Sequence, residues 1–434
     1  MMAVQLSADQ GPILAQAFSR SRLLLDRPPG EGALRPVAWT AFGGRVALLG
    51  ARDVSLSLER FDPTANRTAA TPWGDHAVLA DGIKPSRLDA LICPPLACRT
   101  GTALVSEDEC LFFPHPEARR PDPPQPTTWS ALGEGQIILA AGLSPAGDLY
   151  LAATGGGSVI VRDPQGEAVA VFDDGALGAE PAVGLLVQGR GRELVFYLWA
   201  AGRVRWRAAG DGLGAEAAET SMPGLLAPAR RWRERLAGRS TTPAPWHGWR
   251  EAEVGVYPML SGEPSRLDFG AVVVRSGAPV WVRYVHGRPL SAALGGQHGV
   301  LLADEVGLKV VHPLSGALVA QRDGAAEAEA VFAGLSSGAF LSLTPKASGE
   351  VAVAGWTVRR SELLVAWRTS LQAPRTDDPR ASGARAPLNV SAELGPLEID
   401  DGVALAFAEG AGASTALRLW CEGQAFGAAG ARAA

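Results

Sequence analysis

Lysine and cysteine are scarce in this chain, and no long hydrophobic run is present. The 434 residues include only three lysines (Lys84, Lys309 and Lys346), and the formal net charge is −5. A nucleic-acid surface needs an excess of basic residues, so the sequence predicts no nucleic-acid partner. No stretch reaches the roughly 18 apolar residues that span a bilayer. Residues 1–10 also lack a basic region followed by an apolar run, so we expect a cytoplasmic protein without a membrane segment.

The few cysteines argue against a metal centre. Cys93 and Cys98 flank a pair of prolines, Cys110 lies on a neighbouring predicted strand, and Cys421 is remote in sequence. A zinc site needs two paired clusters of ligands, and this spacing offers at most half of one. We therefore expect buried free thiols, as is usual in a reducing cytosol, and no cofactor.

Glycine and proline are abundant in an otherwise apolar chain. The sequence has 52 glycines and 32 prolines, with 47% hydrophobic and 20% charged residues. This composition is globular. Frequent turn residues favour many short strands over long helices, so the predicted fold class is all-β.

The clearest strand pattern covers residues 136–173. Apolar or strand-forming stretches at 137–143, 148–154, 158–163 and 167–172 are separated by short turns rich in glycine and proline. Four short strands joined by tight turns predict an antiparallel meander. The first strand is almost entirely apolar, which is typical of burial on both faces.

This meander resembles a blade of the WD40 family. The resemblance rests on Leu143-Ser144-Pro145-Ala146-Gly147-Asp148-Leu149-Tyr150-Leu151-Ala152, followed by Ser158-Val159-Ile160-Val161-Arg162-Asp163. The family has a turn of this kind, an apolar strand and then a strand that ends in Trp-Asp. Here Arg162-Asp163 takes that last place, and the Gly-His pair that opens a regular blade is missing. The resemblance implies a β-propeller.

Looser copies of the pattern recur about every 50 residues, which is in the range of propeller blades. Three strands are predicted in each of the segments 37–61, 183–207 and 300–321. We predict one propeller over residues 1–434 with seven blades, or eight as an alternative; a pair of β-sandwiches is the structural rival. A dipeptide marker recurs where a strand meets a turn: Asp62-Pro63, His115-Pro116, Asp163-Pro164, Tyr257-Pro258 and His312-Pro313.

A propeller ring must be sealed, because an open edge strand invites aggregation. The stretch Arg22 to Leu25 reads as a strand, and Val403 to Trp420 reads as the last part of the final blade. We predict that the N-terminal strand completes the last sheet.

One region breaks the repeat. Residues 221–250 are interpreted as an insertion with a short amphipathic helix near 224–238, followed by an aromatic loop at 243–249. Residues 375–385 are predicted to be a polar linker and 427–434 a flexible tail. Trp and Arg are enriched at binding hot spots, so the insertion is the candidate partner surface. The favoured alternative is that Trp232 and Leu236 simply cap the blade below, with the arginines in solvent. The candidate residues are Arg230, Arg231, Trp232, Arg233, Arg235, Trp246 and Trp249.

No catalytic motif has its required context. Gly334-Leu335-Ser336-Ser337-Gly338 matches a nucleophile elbow, but that motif needs a helix after the serine, and residues 339–343 read as a strand. We interpret Ser336 as a turn residue. The six histidines show no paired-ligand spacing, although His298 with Asp304 and Glu305 could meet at a central funnel.

The function that fits best is a non-catalytic, protein-binding scaffold. The chain also resembles the divergent bacterial propellers that accompany a MoxR-type ATPase and a von Willebrand A protein, which implies those two partners. The alternative is a hydrolase or lactonase with a metal on the propeller axis. A glycan-binding propeller is disfavoured because the tryptophans do not recur once per blade.

Overall fold

A computed structural model gives the fold, and every statement below refers to the residues it describes. These are 22–27, 35–52, 55–62, 75–115, 127–128, 135–155, 157–163, 165–173, 183–189, 191–213, 216–221, 223, 244–249, 252–260, 267–275, 278–284, 291–295, 299–303, 306–324, 331–334, 340–371, 388–389, 397–399, 402–409 and 416–423.

Within these residues the chain forms successive four-stranded antiparallel sheets, which we call meanders and number along the chain. In each of the first four, strands pair in the order in which they follow one another. Meander 1 contains β2 Arg35–Phe42, β3 Arg45–Arg52, β4 Ser55–Asp62 and β5 Asp75–Ile83; meander 2 contains β6 Leu96–Ala97, β7 Gly101–Val105, β8 Cys110–Pro114 and β9 Thr127–Thr128; meander 3 contains β10 Ile138–Leu143, β11 Leu149–Gly155, β12 Ser158–Arg162 and β13 Ala168–Asp173; meander 4 contains β14 Gly184–Gln188, β15 Val195–Ala200, β16 Arg203–Ala208 and β17 Ala218–Ser221.

The second half continues in the same way, and the last sheet takes one strand from the start of the chain. Meander 5 contains β18 Ala244–Trp249, β19 Ala252–Leu260, β20 Leu267–Arg275 and β21 Ala278–Tyr284; meander 6 contains β22 Ser291–Gly295, β23 Gly299–Ala303, β24 Gly307–Val311 and β25 Leu318–Asp323; meander 7 contains β26 Val331–Gly334, β27 Phe340–Pro345, β28 Val351–Arg359 and β29 Glu362–Leu371; meander 8 contains β30 Leu388–Asn389, β31 Leu397–Ile399, β32 Gly402–Glu409, β33 Ala416–Gly423 and β1 Arg22–Arg27.

Helical structure is minor in the described part of the chain. One helix of five residues, α1 (Ser86–Ala90), connects meander 1 to meander 2. Two 3₁₀ turns, Gly191–Glu193 and Ala209–Asp211, belong to meander 4. No helix in these ranges is both long and apolar enough to cross a membrane.

The meander predicted over residues 136–173 is confirmed. Each of its four strands, β10 to β13, lies within one residue of the predicted boundaries. Its central strand β11 is buried at every position from Leu149 to Ala153. Such continuous burial requires apolar neighbours on both faces of the sheet.

Apolar side chains fill the spaces between consecutive meanders. Leu49 and Leu58 of meander 1 pack with Leu104 and Phe113 of meander 2. Other shared clusters join meanders 2 and 3, 3 and 4, and 6 and 7. First strands lie close together where the meanders meet, as β2 does with β6 and β10 with β14.

The last meander packs against the first. Strand β2 contacts β31, β32 and β33, so meander 8 adjoins meander 1. Antiparallel meanders that pack face to face in sequence, with first strands innermost and the last meeting the first, define a β-propeller.

The predicted closure by the N-terminal strand is confirmed. Strand β1 pairs antiparallel with β33, with Leu23 opposite Trp420 and Leu25 opposite Leu419. It is the outermost strand of meander 8, whose innermost position is shared by the short strands β30 and β31. The final sheet is therefore held together by both ends of the chain.

Removing residues 1–27 is expected to lower the melting temperature strongly and to cause aggregation, because it exposes the edge of β33 and opens the last sheet. Thermal unfolding and light scattering of the purified variant measure both effects. A variant without residues 1–21 keeps β1 and is the control. Equal melting temperatures for the two variants would contradict closure by this strand.

Two neighbouring meanders share a hydrogen-bonded edge. Gln321 of β25 pairs with Glu362 of β29 in parallel, which merges meanders 6 and 7 into one eight-stranded sheet. The guanidinium carbon of Arg322 also lies 5.3 Å from the ring centre of Trp356. Outer strands of adjacent blades are thus tied together at this point.

The interpretation of residues 243–249 as a loop is wrong. Residues Ala244–Trp249 form the first strand of meander 5 and pair with β19. Pro245 cannot donate a backbone hydrogen bond, and it lies where the register shifts between Ala244 and His247, as prolines in sheets usually do. The predicted helix near 224–238, the linker 375–385 and the tail 427–434 lie outside the described residues.

The dipeptide marker has a structural meaning in four of its five positions. Asp62, His115, Asp163 and His312 each end or directly follow the third strand of a meander. The side chain of Asp163 accepts backbone hydrogen bonds from residues 165 and 167 at 2.9 Å, and His312 Nδ1 accepts one from residue 314 at 3.3 Å. These side chains satisfy turn donors in the manner of an Asx turn. The fifth marker is an exception, because Tyr257 lies inside β19.

Polar contacts align the first three meanders at one end of their strands. The hydroxyl of Thr40 donates to Pro95 O at 2.7 Å and accepts from Ala97 N at 3.1 Å. Arg99 of meander 2 pairs with Asp148 of meander 3 at 2.7 Å. The neighbouring Gly147 has φ of 81°, and a Cβ there would overlap the ring of Phe42 from meander 1.

Gly147→Ala should destabilise the protein by about 2–4 kcal/mol, since it adds a steric overlap to an unfavourable backbone conformation. Gly157→Ala is the matched control, because Gly157 has φ of 87° but open space around its Cβ position. The Gly157→Ala variant should lose only about 1 kcal/mol of its free energy of unfolding. Urea unfolding measures both, and equal losses would contradict the packing of Phe42 on Gly147.

Candidate functional site

The partner surface predicted from the sequence falls mostly outside the described part of the chain. Arg230, Arg231, Trp232, Arg233 and Arg235 are not described. Trp246 and Trp249 are placed by their backbone on β18, the first strand of meander 5. A strand, and not the predicted loop, therefore carries these two residues.

The residues considered for catalysis or metal binding from the sequence lie outside the described part of the chain. Ser336 lies between β26 and β27, which pair antiparallel, so a strand follows it where a nucleophile elbow needs a helix. His298, Asp304 and Glu305 are outside the described residues. Within the described ranges, no group of three or more His, Cys, Asp or Glu side chains is placed to hold a metal ion.

A concave cleft lies between meanders 1 and 2. Its volume is about 270 Å³. It opens beside α1 and the turn between β7 and β8, at the end of the strands opposite to the Thr40 contacts. The apolar floor comes from both meanders and from α1: Leu49, Leu56, Ile83, Leu88, Leu91, Leu104 and Leu111.

Local sequence explains why the floor is apolar. Helix α1 follows Pro85 directly, and Leu88 is its buried residue. Leu91 ends the helix in an extended conformation and forms a bridge with Ser106. One short helix therefore directs two leucines onto the edge of meander 2, and the space left above them is the cleft.

Charged side chains surround the mouth of the cleft. Lys84 and Arg87 come from the α1 side, and Asp108 and Glu109 from the turn between β7 and β8. Arg87 and Glu109 form an ion pair across the mouth, with 43% and 30% of their side chains exposed. At this exposure the pair contributes little to stability, so its main effect is to shape the opening.

This arrangement suits the binding of an apolar side chain. A site with an apolar floor and a polar rim resembles the centre and edge of a protein interface. The cleft has no clear signature in the sequence, because α1 is too short to show a helical periodicity and its partners on β7 and β8 are not adjacent to it in the chain. The nearest sequence signal was the pair Leu88 and Leu91, spaced as on one helix face.

Three cysteine thiols lie together at the interface between meanders 2 and 3. Cys93, Cys98 and Cys110 are buried thiols outside any disulfide and are packed in the cluster that joins meanders 2 and 3, as predicted. Burial, with smaller contributions from Cys93 and Asp148, raises the pKa of Cys98 to about 12. Burial also raises the pKa of Cys110. Thiols in this state are poor nucleophiles and poor metal ligands; the side chain of Cys421 is not described.

Alkylation by iodoacetamide at pH 8 should leave Cys98 and Cys110 unmodified in the native protein, because only the thiolate reacts. We expect rates at least about 100-fold below those in urea, measured by peptide mass spectrometry. The raised pKa also means that the folded state holds its proton more tightly than the unfolded state. The free energy of unfolding should therefore fall as the pH rises from 9.0, the ordinary pKa of the thiol, towards 12. Rapid native labelling would contradict this burial.

Comparisons with known proteins give only distant likenesses. No family model matches the chain, and no curated protein matches it. Similar solved structures include the β-propeller domain of Myceliophteria thermophila Cps50 (Swd1), at 12% identity over 76% of this chain and 96% of that chain, with a TM-score of 0.36. Virginiamycin B lyase from Staphylococcus aureus has 8% identity over 92% and 99%, with a TM-score of 0.38.

The WD40 domain of SCAP from fission yeast is a further example. It has 9% identity over 98% of this chain and 97% of that chain, with a TM-score of 0.36. These TM-scores are low. The assignment of a β-propeller therefore depends on the order of the sheets and the contacts between meanders.

Proposed function

We propose that this chain is a non-catalytic, cytoplasmic, WD40-like propeller scaffold that binds another protein through the cleft between meanders 1 and 2. The eight meanders, seven with four strands and the last with five, favour eight blades, the alternative number in the sequence analysis. The observation that carries the binding role is the leucine-floored cleft with its charged rim. The proposed partners are those implied by the sequence resemblance, a MoxR-type ATPase and a von Willebrand A protein.

The size of the cleft fits one large apolar side chain of a partner. Burial of a leucine or phenylalanine side chain contributes about 1.5–3 kcal/mol. Since each 1.4 kcal/mol is about tenfold in affinity, one such anchor changes the dissociation constant by roughly 10- to 100-fold. Contacts to Lys84 and Asp108 at the rim would then determine the orientation of the bound partner more than its affinity for the cleft.

Affinity purification from the native host tests this proposal. Wild-type chain should recover a partner in stoichiometric amount, and Ala90→Phe should reduce recovery at least about tenfold by filling the cleft. Lys84→Glu should weaken binding by reversing a rim charge. The matched controls are Ala201→Phe, in an exposed hairpin turn, and Lys346→Glu, in the exposed turn between β27 and β28. Both controls should bind as wild type, and circular dichroism verifies folding.

Several outcomes would contradict the proposal. Equal recovery by the cleft variants and their controls would remove the cleft as the binding site. A partner set without an ATPase or a von Willebrand A protein would overturn the assigned partners. A stoichiometric metal found by elemental analysis, together with lactone hydrolysis, would favour the hydrolase alternative.

A further inference from the structure

The mouth of the cleft carries charges of opposite sign on its two sides. Lys84 and Arg87 stand on the α1 side, and Asp108 and Glu109 on the turn between β7 and β8. Arg87 and Glu109 pair with each other across the mouth. Among the residues that the structure describes, neither the ammonium of Lys84 nor the carboxylate of Asp108 forms a hydrogen bond or an ion pair. One positive and one negative charge are therefore left exposed on opposite sides of an apolar floor.

The backbone holds these two charges in place. Lys84 O accepts a hydrogen bond at 3.0 Å from the N–H three residues later, which fixes Lys84 at the start of α1. The turn that carries Asp108 is closed by Ser106 N, which donates to Glu109 O at 2.9 Å. A bridge between Leu91 and Ser106 joins the end of α1 to this turn. A ligand therefore meets two backbone positions that need little rearrangement before binding.

Neighbouring carboxylates do not remove this balance of charge at the mouth. Asp81, Asp89 and Glu107 lie close by in sequence, but none of the three lines the cleft. The side chain of Asp81 accepts a hydrogen bond from the backbone N of the next residue at 3.0 Å. A ligand with charges of only one sign would gain one attraction at the mouth and meet one repulsion, whereas a ligand with both signs would gain two attractions.

We propose that the partner segment in the cleft carries an apolar anchor flanked by one acidic and one basic residue, the acidic one beside Lys84 and the basic one beside Asp108. This inference rests on the proposed function and extends it from the place of the site to the sequence of its ligand. In an extended segment, side chains two residues apart point to the same side, so the flanks lie two positions before and after the anchor. Exposed charge pairs change affinity by small factors, so they select among ligands that the apolar floor holds.

Short peptides with a central leucine test the proposal, with binding followed by NMR of the protein's leucine methyl groups. Four peptides share a glycine background and differ only two positions before and after leucine: glutamate and lysine, two glutamates, two lysines, or two glutamines. The peptide with opposite charges should bind about threefold to fivefold more tightly than either like-charged peptide. This preference should shrink as salt screens the exposed charges. The methyl signals of Leu88 and Leu104, which line the floor, should shift with all four peptides.

Charge-reversal variants provide a second readout. Lys84→Glu makes both free charges negative and should transfer the preference to the peptide with two lysines. Asp108→Lys should transfer it to the peptide with two glutamates, and the double variant should recover the preference for opposite charges. Each single variant gains affinity for a peptide that wild type disfavours, which a misfolded protein would not do. Lys346→Glu, in the exposed turn between β27 and β28, is the matched control and should keep the wild-type ranking.

The outcomes separate this inference from the proposed function. Equal affinity for the four peptides, with Leu88 and Leu104 still shifted, would overturn the inference and leave the cleft as the binding site. No shift of these leucines with any peptide would remove both. A preference for opposite charges that persists in both single variants would place the selecting charges elsewhere. Tighter binding of free leucine than of every peptide would assign the cleft to a zwitterionic amino acid instead of a protein segment.

Discussion

Burial of both faces of a sheet is the constraint on which the described core of this structure depends. Strand β11 shows it in a single element: Leu149 and Leu151 pack towards meander 2, whereas Tyr150 and Ala152 pack towards meander 4. A sheet that is apolar on both faces needs a neighbour on each side. A row of such sheets always leaves two exposed faces at its ends, and only a ring removes them. The pairing of β1 with β33 joins that ring in the final sheet.

The ring also explains why the inner strands are rich in small residues. First strands of adjacent meanders approach closely near the axis, as β10 does with β14. A Cβ at Gly142 would lie 3.0 Å from Leu185 O, so a larger side chain there would separate the two meanders. Towards the outer strands the sheets diverge, and Phe172 and Phe196 fill the wider space. The alanine and glycine content of the chain thus reflects the geometry of packing in a ring.

Much of this architecture could be predicted from sequence, because it depends on local signals. The strands of meander 3, the closing strand at Arg22 to Leu25 and the turn role of Asp163 follow from alternation and turn chemistry within a few residues. The first strand of meander 5 was missed because Pro245 is a strand-breaking signal that a bulge accommodates. The cleft could not be predicted, since its leucines are contributed by two sheets and a helix of only five residues.

The candidate cleft arises where the regular meander is interrupted. Helix α1 replaces a direct connection between β5 and β6. Elsewhere in these two meanders the leucines are covered by the neighbouring sheet, whereas beside the helix Leu49, Leu56 and Leu104 line an open cleft. The charged side chains around it come from the helix side and from a turn, where residues are not needed to fill the space between two sheets. The same ring that buries most of the apolar surface thus leaves this part of it accessible, because a short helix covers less of the sheet than a strand would.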